Sequence, residues 1–136
     1  MNAREFLDQY RQADNKAQAL RKEYEKELEL IDNIRSSSDI DGLPKAKRIS
    51  RAVEDNAVRL ADKAAEWKIA ELDALHYRQE IFETIIKVGG DASAVLIERY
   101  VNLKQWSEVC VAVHWSWYKV QGLHKTGLAK VEEIIK

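Results

Sequence analysis

A chain of 136 residues with only 5 glycines and 1 proline has few places where its backbone can turn sharply. Sandwiches and barrels need turn chemistry every ~10 residues, so a many-stranded β architecture is excluded. Disorder is excluded too, because 4 Trp, 5 Tyr and abundant Leu, Ile and Val supply a core. What remains is a protein of long helices, of a length that fits one domain or a small domain with an appendage.

Two glycine-free stretches carry that reading. From Asn2 to about Arg35, apolar residues fall at Phe6, Tyr10, Ala13, Ala17, Leu20 and Tyr24, alternating steps of four and three that make a heptad seam. Asn2 and Glu5 have the spacing of a capping box at its start. After Tyr24 the seam shifts to Leu28, Ile31 and Ile34, a stutter that relaxes supercoiling. The mixed-sign charges between seam residues, such as Arg21, Lys22, Glu23 and Glu25, read as a solvated face. Ser36 to Pro44 is a loop, with Ile40 and Leu43 free to tuck against the helix ends. A second helix is expected from about Ala46 to Val88, striped by Ile49, Val53, Ala57, Leu60, Ala64 and Trp67. Leu72, Leu75, Phe82 and Ile86 continue that stripe with a shift of phase. Two such helices joined by one loop make an antiparallel, coiled-coil-like hairpin over residues 1–88, with its loop at 36–45. Tyr10, Ala17, Leu20, Leu60 and Trp67 offer more seam than one helix pair hides. A homodimer through residues 2–88 is therefore expected, unless a later helix covers the surplus. Gly89-Gly90 ends the second helix, and Asp91 is placed to cap a third.

Charge narrows the function. Lys and Arg number 22 against 23 Asp and Glu, for a net charge of −1, which excludes a wholly basic nucleic-acid binder but not a local basic face. The single cysteine, Cys110, excludes an intramolecular disulfide and a Cys-rich zinc module. Met1-Asn2-Ala3-Arg4-Glu5 is charged from the outset, unlike a signal peptide, and no stretch approaches the ~18 apolar residues of a membrane span. A cytoplasmic protein is the expectation.

From Leu103 the pattern changes to short elements. Trp106–Val113 forms two turns of helix, His114-Trp115-Ser116 is a break, and Ser116 caps a helix from Trp117 to Ile135. That is helix-turn-helix grammar over residues 91–136. Val109, Val113, Trp115, Val120 and Leu123 have the apolar spacing of such modules, and Cys110 is the small residue where the two helices cross. More narrowly, Val95-Leu96-Ile97-Glu98-Arg99-Tyr100, Trp106-Ser107-Glu108-Val109, Ser116, Val120, Leu123-His124 and Leu128 resemble phage transcriptional regulators of the RinA/ArpU type. The helix-turn-helix of those proteins is similar to the C-terminal domain of sigma factors. The loop from Ser36 to Pro44 and Arg48-Ile49-Ser50 extend the resemblance over most of the chain. It implies a DNA-binding regulator of phage or prophage late genes in a bacterial host cell, with double-stranded DNA as partner and host RNA polymerase as a further candidate. The candidate DNA-binding residues are Lys104, Gln105, Ser116, Trp117, Tyr118, Lys119, Gln121 and Lys125.

The departures from that pattern are specific. His114 stands where the turn usually has Gly and must accept left-handed geometry. Gly122 lies inside the recognition helix, at a cost of about 1 kcal/mol against Ala, and lets a partner approach the backbone. Trp117 and Tyr118 suit thymine methyls or sugars and equally a protein-binding face. Residues 98–136 hold six basic and four acidic side chains, a net +2, and Lys104, Lys119 and Lys125 read equally as DNA contacts or as solvated lysines. The rival function is thus a protein-interaction module on a helix-turn-helix scaffold that no longer reads DNA. A structural coiled-coil protein is a weaker third reading. Cys110 and His114 are four apart but lack a third metal ligand, and Asp73-Ala74-Leu75-His76 is half of a di-iron motif without its second copy. No phosphate-binding loop, dinucleotide fingerprint or nucleophile elbow occurs, so neither an enzyme nor a cofactor is expected.

Overall fold

The computed structural model describes the backbone of residues 1–36 and 43–136, and the side chains of residues 1–33 and 54–136. The protein is all-α, with no strand among the described residues. Its elements are α1 (Ala3–Ser36), α2 (Leu43–Val88), α3 (Gly90–Leu96), a π-helical turn (Ile97–Val101), α4 (Trp106–Val113) and α5 (Trp117–Ile135).

Local chemistry sets the helix ends. The Oδ1 of Asn2 accepts the Glu5 backbone N–H at 2.8 Å, and its Nδ2 donates to the Glu5 carboxylate at 3.3 Å, so the capping box forms. Both ends of the expected loop of 36–45 are helical, since Ser36 still belongs to α1 and α2 already begins at Leu43; residues 37–42 lie outside the described residues. Pro44 then sits in the first turn of α2, where backbone N–H groups have no intrahelical partner and none is lost. The tucking of Ile40 and Leu43, and the stripe positions Ile34, Ile49 and Val53, lie outside the described side chains. At the other end of α2, Gly89 and Gly90 both take positive φ, 69° and 65°. Gly89, not Asp91, is the N-cap of α3; Asp91 stands within its first turn.

The chain divides into two compact units, Met1–Asp14 with Asp73–Lys136, and Asn15–Leu72. This cut differs from a division at 88–91, and apolar packing is the reason. In the first unit, Phe6 and Leu7 of α1 and Ile81 and Ile85 of α2 are buried in one cluster with Leu96, Tyr100, Val101 and Val131. The outer turns of both long helices are therefore core for the C-terminal helices. A second cluster, of Val95, Val109 and Val120, closes the helix-turn-helix itself, with Trp106, Cys110, Val113, Trp115 and Leu123 packed around it.

In the Asn15–Leu72 unit the two long helices run antiparallel. The Tyr24 and Trp67 rings lie 5.7 Å apart, and Lys63 reaches Glu23 at 3.5 Å and Glu27 at 3.3 Å. Arg21 caps the pair, its guanidinium 5.7 Å from the Trp67 ring centre.

The later stripe of α2 faces the other way from the sequence expectation. Ala70, Ala74, Ile81 and Ile85 are the buried positions, whereas Leu72, Leu75 and Ile86 are 64%, 55% and 55% exposed. The helix thus turns the small residues Ala70 and Ala74 inward and leaves larger ones outside.

Two glycines of α5 differ in what their missing Cβ does. At Gly127 an added Cβ would meet Leu96 Cδ1 at 2.8 Å, and Leu96 is fully buried; at Gly122 nothing lies within 4 Å. Gly127→Ala is expected to destabilise the protein by about 1–3 kcal/mol through overpacking. Gly122→Ala is expected to stabilise it by up to about 1 kcal/mol. Urea unfolding of the two variants checks both signs.

Candidate nucleic-acid interface

The site is built from three consecutive devices. The π-helical turn ends α3 early and is followed by Leu103 at φ 54°, a left-handed residue that is not glycine. Hydrogen bonds hold the geometry: Asn102 N–H donates to Ile97 O at 2.9 Å, Lys104 N–H to Glu98 O at 3.1 Å, and Arg99 Nη1 to Lys104 O at 2.9 Å. Arg99 also stacks over Trp106, 4.7 Å from the ring centre, so the guanidinium fastens the turn to the first residue of α4.

The turn between α4 and α5 comes next. His114 has φ 59° and ψ 37°, the left-handed C-cap that the sequence demanded, and Trp115 N–H reaches back to Cys110 O at 3.3 Å. Ser116 is the N-cap of α5, its Oγ accepting the Lys119 N–H at 3.3 Å. Both helix boundaries and the cap agree with the sequence reading.

The third device is buried and polar. Tyr100 OH and His124 Nε2 share a hydrogen bond of 2.7 Å, and the His124 ring packs on Trp106 with centroids 4.6 Å apart. Burial, with Arg4 and Arg99 nearby, pushes His124 down to about 4, so the imidazole is neutral at pH 7; Asp8 opposes the shift. The Tyr100 hydroxyl is pushed up, first by burial and then by Asp8. Nothing in the spacing of Tyr100, Trp106 and His124 singled out this cluster, although His124 on the apolar side of α5 was its one available clue.

Around this frame the candidate residues separate into two sets. Tyr118 is 88% exposed and Trp117 51% exposed at the start of α5, and Gln105, Ser116, Lys119 and Lys125 are exposed as well. Lys104 and Gln121 are half-buried. Lys104 Nζ lies 2.6 Å from Glu98, an ion pair that holds the Glu98 carboxyl below its ordinary range. Lys119 sets its ammonium over the Trp115 ring at 4.4 Å. Gln121 turns its Nε2 into the protein, where it has no hydrogen-bond partner. The outward residues at the start of α5 therefore include Tyr118, Gly122 and Lys125, with Gln121 at the edge. On α4, Val111 is 72% exposed and borders a shallow depression with Lys104, Ser107, Glu108 and Ala112. Among the described residues, no three His, Cys, Asp or Glu side chains come together to hold a metal ion. No helix among them is long and apolar enough to cross a membrane.

No protein-family model, no curated protein and no solved structure matches this chain.

His124 gives the module a pH dependence with a defined sign. Its pKa is about 4 in the fold and 6.5 without it, so the unfolded chain binds the extra proton between those values. The stability tied to the neutral ring is complete above pH 6.5 and is lost as pH falls toward 4, by up to about 3 kcal/mol. Urea midpoints measured across this range should fall more steeply for the native protein than for His124→Asn, and Tyr100→Phe should lower stability at pH 7.

Proposed function

We propose that the C-terminal helices bind double-stranded DNA, with α5 in the major groove, as the resemblance to phage late-gene regulators implies. One observation carries the reading. The Ser116 cap starts α5 from the surface, its inward side is locked by Val120, His124 and Val131, and its first turns present Trp117, Tyr118, Lys119 and Lys125 outward. A rigid helix start with aromatic and cationic side chains can meet base edges and phosphates together. In this reading Lys125 contacts phosphate or guanine, Gln121 swings outward to an adenine edge, and Gly122 lets the DNA backbone approach α5. The module carries only a small positive charge, so a dimer on two half-sites accounts for specific affinity better than a monomer does. Host RNA polymerase is the natural second partner of such a regulator.

A second reading, docking to a protein, is favoured by one feature: Val111, Trp117 and Tyr118 are 72%, 51% and 88% exposed, and aromatics of this kind anchor protein interfaces.

Binding of the full chain to duplexes from upstream of phage late genes, titrated with salt, tests the two. Lys125→Ala should weaken binding to every duplex and reduce the salt slope by about one unit. Gln121→Ala should cost about 1–3 kcal/mol and relax preference at one base pair. Lys104→Ala should change the slope less, because its ammonium is already paired with Glu98. Affinity indifferent to both salt and sequence overturns the DNA reading. Loss of binding to purified polymerase in Tyr118→Ala would then support the second.

A further inference from the structure

Within the Asp73–Lys136 unit, α2 has two faces, and only one is used. Ile81 and Ile85 are fully buried in the chain's own core, so the helix cannot roll to hide its other side. On that other side lie Leu75, Gln79, Phe82 and Ile86, in steps of four, three and four; Leu75, Phe82 and Ile86 are 55%, 37% and 55% exposed, and Gln79 is exposed with them. Single exposed apolar residues are ordinary, but a run at heptad spacing is the seam of a coiled coil. We propose that this outer face of α2 pairs with the same face of a second copy of the chain, as a parallel, in-register two-stranded coiled coil.

Three features select a second copy and a parallel arrangement. In heptad positions, Leu75 and Phe82 are d, and Gln79 and Ile86 are a. An in-register parallel dimer then stacks Gln79 on Gln79 of the second copy, where one polar layer fixes strand number and register. Charge complementarity is the second feature. Arg78, which also interacts with the Tyr10 hydroxyl of α1, is exposed at g and Glu83 at the following e, so each Arg78 can meet Glu83 of the other copy across the seam, twice by symmetry. Gln79 Nε2 donates to the Glu83 carboxylate at 3.3 Å in the same helix, holding that carboxylate at the seam's edge. An antiparallel pair sets g against g and e against e, so Arg78 and Glu83 no longer meet. Third, read along the sequence, the same repeat puts Leu72 at a and Glu71 and His76 at the preceding g and e, while Lys68 and Ala61 fall at d, so the apolar seam begins at Leu72. The proposal deepens the dimer part of the proposed function and does not rest on DNA binding.

Sedimentation of the full chain at tens of micromolar is expected to give a dimer. Leu75→Glu with Phe82→Glu should raise the dissociation constant by more than about tenfold while leaving helicity unchanged, since both side chains are exposed. Arg78→Glu should weaken the dimer, and adding Glu83→Arg should restore it. In a Cys110→Ser background, Gln79→Cys should cross-link spontaneously on oxidation, because a-position side chains face each other, whereas Glu80→Cys should not. If the glutamate pair disturbs folding, cross-linking alone decides. A monomer removes the dimer reading and this seam together. A dimer that ignores the glutamates, or that cross-links at Glu80 in preference to Gln79, keeps the dimer and overturns the seam.

Discussion

The hydrogen bond between Tyr100 and His124 stands where two apolar clusters meet. Tyr100 belongs to the cluster that α1, α2 and α5 build together, while His124 packs against Trp106 beside the Val95–Val109–Val120 cluster. A buried polar pair costs desolvation unless both members are satisfied, and here each satisfies the other. Burial and the nearby Arg4 and Arg99 favour the uncharged imidazole in this arrangement. The helix-turn-helix is thus joined to the rest of its unit by a contact that depends on protonation, not by hydrocarbon alone.

From that junction outward, duties are divided. Lys104 and Lys119 are already engaged with the protein, in an ion pair and over an aromatic face, and the Gln121 Nε2 is buried without a hydrogen-bond partner. Tyr118, Gly122 and Lys125 have no such part in the core, so they are the positions at which chemistry toward a partner can vary without loosening the fold. The strain stored at Leu103 and His114, two non-glycine residues at positive φ, lies just before and just after α4. Both turns are over-determined by hydrogen bonds, which lets so short a helix hold a fixed position.

What could be read from the amino acids followed the range of the physics. Caps and turns are local, so Asn2, His114 and Ser116 announced themselves, and the limits of α4 and α5 were legible to the residue. The inward face of α2 was not, because both of its faces carry apolar residues at helical spacing, and the fold buries the side with Ala70 and Ala74. The Tyr100–His124 pair was equally hidden, since its members are distant in sequence, and the π-helical turn carried no signal of its own although its hydrogen bonds are local. The close fit of Gly127 against the Leu96 side chain had no signal in the sequence either.

The membership of the larger unit has a consequence for how the protein is made. Phe6 and Leu7 are synthesised long before one of their core neighbours, Val131, which lies more than a hundred residues further along the chain. The antiparallel contacts of Asn15–Leu72 involve segments that emerge much earlier and can form while synthesis continues. The opening turns of α1 therefore carry exposed apolar side chains until α5 has been synthesised. The arrival of α5, which brings Val131, is in this sense the latch that ends their exposure.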